Sequence, residues 1–192
     1  MLFAGITSSY KYKRDDLTME MHMVDTDEVS PKGRPVLKDD FINELIRIPK
    51  YIPKGLKDPF KMKEDNGHLR SSVDLISDNT NYKFTLSTRK LIKDPMDFSV
   101  VFTYTDISGR EYIIRRFNGD HGRHYHKNTG SYISGPHIHT ITESAQKEYH
   151  KDETEAVETN LYKTLDQAID FSMKELNIKH EGAKRTKDLS QW

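Results

Sequence analysis

The sequence predicts an α+β domain, an antiparallel sheet of about four or five strands with one helix before it and one C-terminal helix packed on it. Three observations carry that expectation. Apolar residues recur at helical spacing just after Asp39 and again after Thr164. Between them, strand-like alternation repeats in short segments. Turn residues such as Asp106-Ile107-Ser108-Gly109 separate those segments closely enough for an antiparallel meander.

Residues 1–36 read as an N-terminal extension or an edge hairpin, because Leu2 to Ile6 is a brief apolar piece and Ser30 to Pro35 is turn material. Residues 37–178 form the single domain, and 179–192 form a polar tail that is expected to fray. From Asp39, the residues Phe41, Ile42, Leu45 and Ile46 share one helical face, and Pro49 stops the helix by disfavouring the α region before it. Lys50 to Asp65, with Pro53, Gly55 and Pro59 among lysines, reads as a connection.

Strands are expected over Leu69–Ile76, Tyr82–Leu91, from Phe98 to Tyr104, over Glu111–Phe117 and over Pro136–Thr142. In the second of these, Tyr82, Phe84 and Leu86 lie on one face and Lys83, Thr85, Ser87 and Arg89 on the other. Glu143 to Asn160 reads as an acidic connection. Thr164 and Gln167 then form a capping box for a helix carrying Leu165, Ala168, Ile169 and Leu176.

The whole-chain numbers exclude several classes. With 192 residues the chain has room for one real core, and a mean hydropathy of −0.81 makes it polar. Thirty basic side chains balance thirty acidic ones, so attraction to a polyanion has to be local. There is no cysteine, which removes disulfides, thiolate metal sites and thiol nucleophiles. No apolar run approaches a membrane span, and the expected location is the cytoplasm with no membrane partner. A nucleotide-binding glycine loop, a serine nucleophile elbow and a helical His-Glu-x-x-His motif are all missing.

Chemistry concentrates between Arg115 and Glu143, where five of the nine histidines fall. His137 and His139 are two apart in a strand and so share a face. The preceding loop can bring His121, His124 or His126 over them. Arg115 and Arg116 lie on opposite faces of their strand, so one guanidinium reaches that side. This is the equipment for metal-independent RNA cleavage, with His137, His139, His124 and Arg116 as catalytic candidates. Arg89, Lys90, Arg123 and Lys127 are candidates for holding the phosphate backbone, and Tyr125 and Tyr132 for stacking on a base.

The same letters admit other readings. His137, His139 and Glu143 fit His-x-His-x-x-x-Glu, a spacing that can surround one divalent metal; the leading reading needs no cofactor. A non-enzymatic inhibitor would instead use the acidic segment to occupy a protein partner. Each histidine alone is also readily explained as a hydrogen-bonding strap for the loop above it.

Asp58-Pro59-Phe60, the strand ending Arg115-Arg116-Phe117-Asn118-Gly119, the run Gly135-Pro136-His137-Ile138-His139 and the helix reaching Leu176-Asn177-Ile178 resemble, in that order, a small prokaryotic family of unknown function. The resemblance spans roughly residues 57–178. Such families look like bacterial, archaeal or phage accessory genes, some in toxin-antitoxin or defence settings. The resemblance therefore implies a setting and no established activity; RNA or a protein as partner is expected from the basic and acidic residues above. The long N-terminal extension and the extra His124 and His126 depart from its pattern.

Overall fold

A computed structural model describes residues 29–31, 33–126, 130–148 and 155–181. Its centre is the expected meander of β3 (His68–Ser77), β4 (Lys83–Leu91), β5 (Phe98–Thr105) and β6 (Glu111–Asn118). The sheet is wider than the four or five strands that the sequence predicts. Among the described residues nine strands join, and β9 (His137–Thr140) and β10 (Glu155–Glu158) extend one side. On the other side β1 (Lys50–Ile52) pairs with β3, and β11 (Ile178–His180) pairs with β1 in the one parallel ladder described. β2 (Lys63–Asp65) adds to the far end of β3, and β7 (His124–His126) with β8 (Ser131–Ile133) forms a separate hairpin.

The extra strands lie where the sequence reads as connection, acidic linker and tail. They are three or four residues long, too short to show a period of two. Residues 143–158 in particular are not one open acidic loop. α2 (Glu143–Glu148) is docked by buried Gln146, whose amide donates to Leu37 O at 2.9 Å and accepts from Leu37 N at 2.8 Å. Of the 1–36 extension, residues 1–28 lie outside the described residues. Its end forms a tight turn closed by the Val29–Pro35 bridge.

One face of the sheet carries the core. α1 (Asp39–Arg47) buries Phe41, Ile42, Leu45 and Ile46 as its spacing predicts. α3 (Leu165–Glu175) begins at the predicted capping box, Thr164 and Gln167 each holding the other's backbone N–H. Phe41 meets Tyr104 edge-on at 5.8 Å and Phe171 meets Phe117 at 5.9 Å, so both helices lie on the face that holds Phe84, Leu86, Val100 and Phe102. No described helix is long and apolar enough to cross a membrane.

Beneath those helices sits Lys50, fully buried. Its ammonium donates to Ile46 O, Ile48 O and Leu176 O at 3.0, 2.8 and 2.8 Å. The rings of Phe84 and Phe102 lie 5.2 and 5.1 Å away. The first two carbonyls and the third come from the C-terminal ends of the two helices, where backbone acceptors lack intrahelical donors and the helix dipole favours a cation. A residue that the sequence places in a surface connection is thus the clasp between α1 and α3.

Candidate functional site

The helix-free face of the meander is polar because strand alternation sends every second residue there, and antiparallel register lines those residues up across strands. One row runs Arg70, Arg89, Ser99, Asn118, His137 through β3, β4, β5, β6 and β9. The next runs Ser72, Ser87, Val101, Arg116, His139. A bulge in β6 between the partners of Phe102 and Thr103 decides which arginine belongs here. The extra residue puts Ile114 and Arg115 together on the helix side, where Arg115 pairs with Glu175 of α3, and leaves Arg116 facing the polar side.

These rows floor a cleft of about 570 Å³, within the usual range for ligand sites. Arginines 70, 89 and 116 and histidines 121 and 139 line it, with Ser87, Ser99 and Asn118 between them. Among the described residues no acidic side chain lines it.

Its wall is the chain leaving β6. Gly119 N donates to Phe98 O at 2.9 Å, and the backbone passes so close that a Cβ at Gly119 would stand 2.1 Å from Met96 O and 2.5 Å from the Phe98 ring. That close passage, open only to glycine, turns the loop back over the sheet and carries His121 to within 5.0 Å of His137, ring centre to ring centre.

His137 lies at the base of this arrangement and is fully buried. Gly135 O is 2.8 Å from its Nδ1 and the Asn118 amide nitrogen is 3.1 Å from its Nε2. A carbonyl can only accept and an amide N–H donates, so the ring is held as the neutral Nδ1–H tautomer. Its backbone is fixed as well. Burial pushes the Tyr162 phenol up, and that hydroxyl donates to His137 O at 2.9 Å.

His139 stacks edge-on to His137 at 5.0 Å and opens onto the cleft beside Arg116, its cross-strand partner. His121 and His139 therefore both pack against one immobilised imidazole, and both reach the cleft.

The other end is organised by carboxylates behind the cations. Arg89 Nη2 meets Asp97 at 2.6 Å, and its Nη1 donates to His68 Nε2 at 3.2 Å. Arg70 Nε meets Asp65 at 3.1 Å.

The predicted site residues thus fall into groups. His137, His139, Arg116 and Arg89 come together as the alternation implies, with His137 beneath the lining and the other three on it. Lys90 lies on the opposite face from Arg89. Arg123 stacks on the exposed Tyr132 ring, 4.4 Å from its centre, in the β7–β8 hairpin segment. His124, Tyr125 and His126 form β7, with side chains outside the described residues, as is Lys127 altogether. Glu143 is at the start of α2, 2.8 Å from Lys147 and 3.2 Å from Lys38, and these cations hold its carboxyl below the usual range. Among the described residues no three His, Asp or Glu side chains are grouped to hold a metal.

Sequence reasoning did not single out Arg70, Ser99 and Asn118. Asn118 and Ser99 sit at strand ends beside turn residues, and only the register across β5, β6 and β9 reveals that they face His137. The chain matches no family model, no curated protein and no solved structure.

Proposed function

We propose that the cleft binds RNA and cleaves it without a metal ion, His121 and His139 exchanging protons with the substrate and Arg116 holding the reacting phosphate. The observation that carries this reading is the pair of cleft-lining imidazoles, His121 and His139, each packed against buried His137 and sharing the lining with Arg116. One imidazole takes the proton of a ribose 2′-hydroxyl as that oxygen attacks phosphorus. The other gives a proton to the departing 5′-oxygen as its bond to phosphorus breaks. The products are a 2′,3′-cyclic phosphate and a free 5′-hydroxyl, and the guanidinium of Arg116 offsets the charge that builds on the non-bridging oxygens.

His137 serves this chemistry by position. A ring with both nitrogens engaged and no exposure holds its two neighbours at a fixed spacing. The toxin or defence setting belongs to the same proposal and rests on the family resemblance alone.

The test is incubation of purified protein with structured and unstructured RNA in EDTA. Cleavage leaving cyclic phosphate ends is expected, with a bell-shaped pH profile. Rates should fall about 100-fold or more in His121→Ala and in His139→Ala, since each removes one proton-transfer partner. Absence of cleavage, or cleavage unchanged in the double variant, overturns the reading.

A further inference from the structure

We infer that the Arg70–Arg89 end of the cleft is a second phosphate subsite, so that the substrate is an extended single strand of several nucleotides laid across the sheet; this deepens the RNA-cleavage reading and rests on it. Three observations point there. Arg70 and Arg89 are direct cross-strand partners, and like charges at directly opposed positions repel. Both nevertheless line the cleft together with the imidazoles.

Each guanidinium is also held by a carboxylate, which offsets part of that repulsion. Asp65 takes the Nε of Arg70, while Asp97 and His68 take one Nη each of Arg89. A guanidinium carries five N–H donors in a planar fork, and such bracing orients the rest. Two oriented guanidiniums side by side can donate their remaining N–H groups to the oxygens of one phosphate.

The distance between the two ends selects the ligand. Arg70 on β3 and His139 on β9 are separated by four strand-to-strand steps, roughly 19 Å across the sheet. A mononucleotide held by the imidazoles does not bridge that span; an extended strand running across β5 does. Ser87 and Ser99 in between offer hydroxyls to sugars and base edges, and Val101 offers an apolar floor.

A duplex does not fit the same description. His139 sits on the floor of the cleft and His121 on the loop that walls it, and attack by a 2′-hydroxyl needs a backbone free to leave the A-form. The substrate class is therefore unpaired RNA, with the reacting phosphate at the β6–β9 end and another phosphate near β3 and β4.

Comparing a dinucleoside monophosphate with a hexanucleotide containing the same cleavage step tests this. Wild type should prefer the hexanucleotide in kcat/KM by about tenfold, the worth of one charge-assisted contact. Arg70→Gln should erase most of that preference through KM, and because Arg70 is 47% exposed the variant is expected to fold. Arg89→Gln should do the same, with its circular dichroism confirming an intact sheet.

A binding measurement separates the two levels of the argument. With His139→Ala as background, the salt dependence of hexanucleotide affinity should lose about 0.7 in slope when Arg70→Gln is added, the signature of one phosphate contact in a single strand. An unchanged slope together with an unchanged length preference overturns the subsite. If neither substrate is cleaved yet the slope falls, the subsite stands and the cleavage reading is the part that fails. If neither substrate is cleaved and the slope holds, both fall.

Discussion

Replacing Lys50 by methionine keeps the length of the side chain and removes its charge and all three donors. The buried ammonium clasps the carbonyl ends of α1 and α3, beside a second tie from Asn177 Nδ2 to Arg47 O at 2.8 Å; its own acceptors lie at 2.8–3.0 Å and two aromatic faces near 5 Å. Opposing terms decide the size of the effect. Burial pulls the Lys50 pKa down from 10.5 to about 7, a penalty on the charged form of about 5 kcal/mol. Three hydrogen bonds from a charged donor return about 1.5–3 kcal/mol each, so the intact arrangement is close to balance. The variant does not restore that balance, because it leaves the carbonyls buried and unpaired. Each unsatisfied buried acceptor costs about 1–3 kcal/mol, so the three together should cost about 3–5 kcal/mol or more.

Urea unfolding followed by circular dichroism at pH 7 should show a loss in that range. The melting temperature should drop by roughly 10 °C for a chain of this length. The pH dependence has a definite sign. The folded pKa lies below the unfolded one, so between about pH 7 and 10.5 the unfolded chain holds more protons. The stability of wild type relative to Lys50→Met should rise through that window, by up to about 1.4 kcal/mol per pH unit. A variant within about 1 kcal/mol of wild type, or a relative stability that falls with rising pH, refutes the argument.

Two further outcomes separate the faces of the sheet and the loop that crosses them. Arg115→Met should lower stability by about 1–3 kcal/mol through loss of the Glu175 pair while RNA cleavage persists; Arg116→Met should cut cleavage about 100-fold with little change in urea midpoint. Equal effects of the two on activity would contradict the bulge assignment. Gly119→Ala should cost about 1–3 kcal/mol in urea unfolding, because the new methyl overlaps Met96 O and the Phe98 ring, and a neutral result would mean the loop does not pass where it is described.

Legibility in the sequence follows the length of each repeating pattern. β3 to β6 run eight to ten residues, long enough for alternation to declare both their existence and their faces. His137 and His139 were placed correctly together for the same reason, as were the buried residues of α1 and the cap of α3. The three-residue strand containing Lys50 has no period to read, and a lysine between prolines looks like surface until two helix ends are found converging on it. The site was legible only in part, since histidine clustering is local whereas the cleft is assembled by register. Arg70 and Asn118 are 48 positions apart in the chain and three strand steps apart in the sheet, and no local pattern links them.

The parallel pairing of β1 with β11 also sets an order of events during synthesis. Residues 126 positions apart meet at the Lys50 clasp, so the edge of β1 and the end of α1 stay unfinished until α3 has cleared the ribosome. The nascent meander therefore emerges with one flank open, exposed to mispairing for most of translation. Final closure of the sheet waits on the C-terminal helix and strand, and truncation within them would leave a chain that carries the cleft residues but lacks the piece that locks their platform.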